Sequence, residues 1–186
     1  VLGAKEVIMV RSVINGIQTR KKKHRTRVDK SSDDRVAKAD SSSIQGPVGL
    51  IVIEGWCFGA ESVHQQELLE PSNDLERQYD TDGVCRQYVN SALAGDYQTL
   101  FNMADRLVML AAPSFDRVFQ WRLEQEQKLI EALTLHKNKR LTSNTMNEEE
   151  IEHFIGYFQR ITEHCLLTIP ERADHLYRLN NDRSVS

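Results

Sequence analysis

The sequence predicts an open α/β fold, in which helices flank a sheet of parallel strands. Two short apolar runs, 48–53 (VGLIVI) and 106–110 (RLVML), are bounded by turn residues and have the composition of buried strands. Longer amphipathic segments lie between them and after them. Strands that alternate with helices along a chain are typical of a parallel sheet with helices on its faces.

The composition restricts the class of protein. A chain of 186 residues with 40% hydrophobic content can bury one core, so a single domain over residues 1–186 is expected. A net charge of -3 argues against bulk electrostatic binding of nucleic acid. No apolar run approaches the roughly 18 residues of a membrane-spanning helix. The three cysteines lack disulfide or zinc spacing, which favours a reducing cytoplasm.

The elements before the first strand are weakly patterned. Within residues 5–19 the apolar positions are spaced in a way that favours a short helix over an alternating strand. Residues 20–47 begin with RKKKHRTR and continue with Asp, Ser and Lys, so they predict a mobile loop. The strand at 48–53 then follows Gly46 and Pro47.

The remaining elements are predicted by local signals. Residues 84–104 predict two short helices divided at Gly95, and the strand at 106–110 follows them. Ser114 is placed to cap a helix that reaches about residue 136. A second long helix is predicted from near Asn147, where three glutamates suit the helix dipole, to just before Pro170. Residues 175–179 (HLYRL) predict a last strand.

Glu54 lies at a position where a functional side chain is expected. Glu54 ends the strand at 48–53, and in open parallel sheets ligands bind outside the carboxyl ends of the strands. A carboxylate at that position can hold magnesium, directly or through water, or can accept a proton from a hydroxyl. The alternative is a purely structural acid that caps the turn, with Gly55 giving the backbone room.

Four segments taken together resemble the D-glycerate 3-kinase family and its bacterial relatives. In order they are RVDKSSDDR (27–35), VIEGWCFGA (52–60), YVNSALAGDYQTLF (88–101) and APSFDRVFQWRLEQE (112–126). The resemblance covers about residues 28–183, and its most specific elements are EGW after a strand and WRLEQE on a helix. It implies a P-loop NTPase-like, three-layer fold similar to phosphoribulokinase and uridine kinase, and transfer of the ATP γ-phosphate to a hydroxyl of a small acid such as glycerate.

The resemblance also implies roles for residues at matching positions. Glu54 would serve magnesium or its water shell and take part in catalysis. Asp29 would be the base for the attacking hydroxyl. Lys30, Asp34 and Arg35 would bind substrate, with Arg35 on the carboxylate. Arg117 and Arg122 would reach the phosphates of ATP, and Arg122 would stabilise charge that develops in the transfer.

Each of these residues also has a structural interpretation. Asp29, Lys30 and Asp34 could be solvated loop charges. Arg122 could pair with Glu126 one helical turn later. Trp56 and Trp121 are expected to pack in the core or at a hinge rather than to form a ligand platform.

The motif that cradles nucleotide phosphates is absent from the sequence. P-loop kinases carry GxxxxGK[ST], and none of the nine glycines in this sequence is followed by lysine. In the family that motif lies N-terminal to the segment matching residues 27–35, so the chain is expected to be the later part of such a protein. A truncated gene, an altered frame upstream of residue 28 or a deliberate shortening would each give this sequence. We therefore expect little or no kinase activity from the chain alone.

Two other functions remain open. A degenerate P-loop relative could serve as a non-catalytic binding or interaction module, with Arg117 and Arg122 still able to hold an anion. RKKKHRTR could contact nucleic acid, although its lack of interleaved aromatic residues and the acidic chain around it favour a solvated linker.

Overall fold

The structure is a computed structural model that describes residues 7–12, 49–135 and 145–186. The strands are β1 (Val7–Ser12), β2 (Leu50–Gly55), β3 (Arg106–Ala111) and β4 (His175–Arg178). The helices are α1 (Asp74–Tyr79), α2 (Val84–Ala94), α3 (Asp96–Phe101), α4 (Phe115–Leu135), α5 (Glu148–Gly156) and α6 (Gln159–Thr168), with short 3-10 helices at Gln65–Leu68 and Ile169–Glu171. The alternation of strands with helices confirms the predicted α/β class.

The four strands form one sheet in the order β2-β1-β3-β4. β3 and β4 run parallel, with Val108 opposite His175, so the predicted parallel pairing is present. β1 runs antiparallel to β3, with Val7 opposite Met109, and the sheet is therefore mixed. The helix predicted within residues 5–19 is wrong where the chain is described, because the β-branched residues of VIMVRS suit a strand that pairs with β3.

The predicted burial of β2 is also wrong. Every residue from Leu50 to Ile53 is exposed, and Leu50 retains 55% of its accessible surface. Among the described strands, β2 lies at an edge of the sheet. An unbroken apolar run predicts burial on both faces only for a strand that other elements cover.

The main core forms around β3. Met109 is fully buried at the middle of this strand, between β1 and β4. The buried residues that complete the cluster come from the turn after β2, α2, the end of β3, α6 and the 3-10 helix that follows α6: Phe58, Ala60, Leu93, Ala111, Cys165 and Ile169. The core thus joins the end of β2 to α6, although these elements are far apart in the sequence.

Helix termini follow the sequence signals with one exception. The Arg117 N–H donates to the Ser114 hydroxyl at 3.3 Å, and Asn147 forms a capping box with Glu150, as the sequence predicts. The second long helix, however, is divided into α5 and α6. Its break follows Gly156, whose carbonyl accepts a 2.8 Å hydrogen bond from the Asn73 side chain, and a Cβ on Gly156 would lie 3.4 Å from Leu75.

Arg160 in α6 binds a segment of chain more than 80 residues away in the sequence. Its guanidinium donates to the Glu76 carboxylate at 2.6 and 2.9 Å, and to the carbonyls of Glu67 and Glu70 at 2.9 and 2.6 Å. Burial alone would raise the pKa of Glu76, but hydrogen bonds from Arg160 and the Ser72 N–H outweigh it, and the pKa is lowered. Glu76 is therefore held as a carboxylate.

A second buried ion pair lies beside the first. The side chains of Arg86 and Asp80 retain only 5% and 9% of their accessible surface, and Arg86 also donates to the Leu68 carbonyl at 2.6 Å. The N–H groups of Cys85 and Arg86 donate to the Asp80 carboxylate at 2.7 and 3.0 Å. Desolvation would raise the pKa of Asp80, but these hydrogen bonds and the charge of Arg86 lower it.

Contacts divide the chain into residues 12–51 and a unit formed by residues 1–11 and 52–186, and the core and ion pairs lie in the latter. The predicted loop at 20–47 lies outside the described residues. None of the helices that the structure describes is long and apolar enough to cross a lipid bilayer. A single kinase-like domain stays a prediction.

Replacing Arg86 by methionine should lower the free energy of unfolding by about 3–5 kcal/mol, because Asp80 would be left buried without its partner. The matched control is Arg77→Met, since Arg77 and Asp74 form an exposed pair of side chains. Its effect should stay below about 0.5 kcal/mol. Urea denaturation followed by circular dichroism measures both, and equal losses in the two variants would contradict the assignment.

Acid should destabilise the chain through Glu76 and Asp80. Both pKa values are lower in the folded chain than the ordinary 4.5 and 3.8, so the two groups stabilise the fold above those values. That stability is lost as the pH falls through the folded pKa values. We expect the free energy of unfolding to fall between about pH 5 and pH 3, and to fall less steeply in Glu76→Gln. Identical slopes for the two proteins would contradict the prediction.

Candidate functional site

The candidate site begins at the carboxyl end of β2. Glu54 lies at the next-to-last position of the strand, and its side chain is exposed. Within the described part of the chain, no side chain or backbone group hydrogen-bonds to it or forms an ion pair with it. The alternative interpretation, an acid that caps its own turn, has no hydrogen bond to support it. None of the described residues therefore keeps this carboxylate from a ligand.

Aromatic contacts fix the turn that follows Glu54. Trp56 lies edge-on to Phe158 with ring centroids 4.9 Å apart, and Phe58 packs on Phe101 at 4.6 Å. Trp56 thus contributes packing, as the sequence predicts. The turn ends at Gly59, which has φ of +83°, and a Cβ there would lie 3.2 Å from the Leu107 side chain. Glycine meets both demands, the left-handed backbone and the close approach to β3.

Hydrogen bonds fix the backbone of the same turn. The Gly59 carbonyl accepts from Arg172 at 2.8 Å, and the Ala60 carbonyl accepts from the Gln98 side chain at 2.8 Å. Arg172 also forms a 3.0 Å ion pair with Glu61. The turn is therefore held by contacts with four parts of the chain. They are β3, α3, Phe158 at the start of α6, and Arg172, which follows the 3-10 helix Ile169–Glu171.

A single carboxylate suits one kind of magnesium site. Among the described residues, no three His, Cys, Asp or Glu side chains lie close enough together to hold a metal ion. Magnesium in nucleotide sites needs only one or two carboxylates, because phosphates and water supply its other ligands. Glu54 could thus hold an ion that arrives with a nucleotide, and the described residues around it do not form an all-protein metal cage.

The two arginines predicted to bind phosphates differ in their surroundings. Arg122 forms an ion pair with Glu126 at 2.6 Å, which is the structural interpretation of this residue. Glu126 retains 3% of its accessible surface and also accepts from the Met146 N–H at 3.0 Å, just before α5 begins. Arg117 is half-buried in the first turn of α4, and its guanidinium has no partner among the described residues. Arg117 is therefore the freer of the two to bind an anion.

The C-terminal turn of the chain covers part of α4. The Trp121 indole N–H donates to the Asn181 carbonyl at 3.0 Å, and the Arg183 guanidinium lies 5.4 Å above its ring. Arg183 also forms an ion pair with Glu124. This agrees with the packing role predicted for Trp121. The sequence reasoning missed Arg183, whose signal is the run NNDRS, a set of turn residues placed just after β4.

Four predicted site residues cannot be placed. Asp29, Lys30, Asp34 and Arg35, expected to supply the base and the substrate-binding groups, lie outside the described residues. No hydrogen bond or ion pair between described side chains joins Glu54 to α4. The described part of the candidate site thus consists of the acid at the end of β2 and Arg117 after β3.

The described strands and helices place the chain in the α/β class. The structure is similar to D-glycerate 3-kinase from Cryptococcus neoformans var. grubii, with a TM-score of 0.50, 20% identity and coverage of 73% of this chain and 51% of that one. The sequence is 31% identical over 108 residues to the uncharacterized kinase mug58 of Schizosaccharomyces pombe, across 58% of this chain and 35% of that protein. No family model matches.

Together the two similarities support the glycerate kinase-like family that the sequence motifs indicate. The structural match confirms the fold. The chain spans about half the length of the solved kinase and about a third of the curated relative.

Replacing Arg122 by methionine should lower the free energy of unfolding by about 3 kcal/mol, because it would leave Glu126 buried and unpaired. Lys128→Met is the matched control, since Lys128 pairs with Glu124 at the same spacing on the exposed side of the same helix. Its effect should stay below about 0.5 kcal/mol. Thermal and urea unfolding measure both, and a negligible loss in Arg122→Met would mean that Arg122 is available for phosphates.

Proposed function

We propose that the chain carries the residues of an ATP-dependent small-molecule kinase, with a P-loop NTPase-like fold, that bind the acceptor and the transferred phosphoryl group. Its cofactors are ATP and Mg²⁺, and its acceptor is glycerate or a similar small hydroxy acid. The observation that carries the proposal is Glu54, a carboxylate at the end of β2 that has no partner among the described residues and precedes a turn held by distant parts of the chain. The similarity to a D-glycerate 3-kinase and to a second kinase supports this choice of reaction.

The proposed roles follow the chemistry of phosphoryl transfer. When bound, ATP supplies the γ-phosphoryl group, and Mg²⁺ neutralises charge on the phosphate oxygens. Asp29 accepts the proton of the substrate hydroxyl, whose oxygen bonds to the γ-phosphorus while the bond to the β-γ bridging oxygen breaks. Lys30, Asp34 and Arg35 bind the acceptor. Glu54 holds the hydrated metal, and Arg117, with Arg122 once it exchanges Glu126 for phosphate, stabilises the transferred group.

The missing phosphate cradle limits what this chain does by itself. Without GxxxxGK[ST], no run of backbone N–H groups of that motif encloses the β- and γ-phosphates. We expect turnover of glycerate by the 186-residue chain to be at least about 10²-fold below that of the Cryptococcus enzyme. The three cysteines, which lack disulfide or zinc spacing, remain the argument for a reducing cytoplasm as its compartment.

Isothermal titration with Mg-ATP tests the role of Glu54. We expect weak binding, with a Kd on the order of 1 mM, because a metal-facing carboxylate and a free arginine remain without the cradle. Glu54→Gln should weaken it by about tenfold, since the amide loses the charge that attracts the hydrated metal.

The control for this titration is Glu152→Gln, which removes an exposed carboxylate from α5 and should leave the affinity unchanged. Equal affinities in the original chain and in Glu54→Gln would contradict the assignment of Glu54. Tight binding of ATP without magnesium would favour the competing function, a non-catalytic anion-binding module built on Arg117.

A further inference from the structure

A cavity lies apart from the candidate kinase site, between α1, α2, α6 and the segment that precedes them. Its volume is about 160 Å³, and one side opens to solvent. Its apolar wall includes Leu68 and Leu93, both buried, together with the half-buried Ile161. None of the residues to which a kinase role is assigned above lines it. An apolar space near 150 Å³ is large enough for one benzene-sized ring.

The charged side chains that line the cavity are already paired. Each guanidinium nitrogen of Arg86 donates to Asp80 or to the carbonyls of Leu68 and Leu69. Arg160 is engaged in the same complete way by Glu76 and two carbonyls. A phosphate or carboxylate entering this space would have to displace one of these acceptors. The cavity therefore suits a neutral ligand.

One polar atom in the wall has no partner. The Nε2 atom of His164 is buried and makes no hydrogen bond in the structure, and His164 lines the cavity. Buried polar atoms without partners are rare, and each costs free energy until a ligand or water satisfies it. A hydroxyl group suits this position, because it donates to an unprotonated imidazole nitrogen and accepts from a protonated one.

The exposed side of the cavity is aromatic. Tyr79 and Tyr157 both line it, and each lies edge-on to His153, with ring centroids 5.7 and 5.3 Å apart. These two tyrosines remain 67% and 57% exposed, although tyrosine rings bury well against flat apolar ligands. Tyr79 and Tyr157 thus add aromatic surface at the open side of a cavity whose inner wall includes Leu68 and Leu93.

We propose that this cavity is a second binding site, which takes a small neutral molecule with one ring-sized apolar body and a hydroxyl group directed at His164. The proposal is independent of the kinase function, since it rests on the lining of the cavity alone. Apolar burial supplies most of the affinity, and the hydrogen bond to Nε2 selects hydroxylated ligands over hydrocarbons of the same size.

The test compares phenol with toluene, which have the same shape and differ in the hydroxyl group. Titration of the labelled 186-residue chain by two-dimensional NMR should give a Kd for phenol on the order of 1 mM, with shifts at residues of α2 and α6. His164→Phe should weaken phenol binding at least about fivefold and change toluene binding by less than about twofold. His175→Phe, an exposed histidine of β4, is the matched control.

A second variant keeps the proposal testable if His164→Phe fails to fold. Val89→Trp adds bulk at a lining residue that is 39% exposed, and it should weaken both ligands at least about tenfold by filling the space. Phenol and toluene of equal affinity in the original chain would overturn the role of His164. Shifts confined to other parts of the chain, or no binding of either ligand at 10 mM or above, about tenfold over the expected Kd, would overturn the site itself.

Discussion

The hydrogen bonds of Arg160 are the contacts on which the described structure most depends. One side chain in α6 holds two backbone carbonyls and the carboxylate of Glu76, all from the segment that links β2 to α2. α6 also reaches back to the end of β2, because Phe158 at its cap packs on Trp56. Loss of the Arg160 hydrogen bonds would open one wall of the cavity. It would also loosen α6, whose first residues support Phe158 and, through it, Trp56. The cost of burying the guanidinium is offset because each of its three nitrogens donates at least one hydrogen bond to the segment that links β2 to α2.

This arrangement separates two chemistries within one unit of the chain. At the end of β2 an exposed carboxylate has no partner among the described residues, which suits a hydrated metal ion. Around α1, α2 and α6 every described charged group that lines the cavity has a partner of opposite charge or a carbonyl, whereas the buried Nε2 atom of His164 has none. The first environment favours a hydrated cation, and the second favours a neutral ligand. The pairing of Arg122 with the buried Glu126 further shows that matching a phosphate-binding motif does not make an arginine free to bind phosphate.

Local signals in the sequence were enough for much of the fold. The caps at Ser114 and Asn147 and the division of α2 from α3 at Gly95 depend on neighbouring residues, and the structure has all three. The failures depend on distant residues. Val7–Ser12 is a strand because β3 offers an edge, and the helix break after Gly156 depends on Asn73. At the site, the position of Glu54 at the end of a strand could be read from the sequence. The burial of Glu126, which holds Arg122 in an ion pair, could not be read from the sequence. Nor could the contacts of Arg160, because its partners lie 84 or more residues away.

The central claim is that Glu54 faces a metal-bound nucleotide at the end of β2. Its most direct test replaces magnesium by paramagnetic manganese and records amide NMR signals of the labelled chain with and without ATP. The account predicts that manganese with ATP broadens the signals of Glu54, Gly55 and Trp56 first, and that Glu54→Gln leaves them sharp. Sharp signals at these three residues, while others elsewhere in the chain broaden, would contradict it.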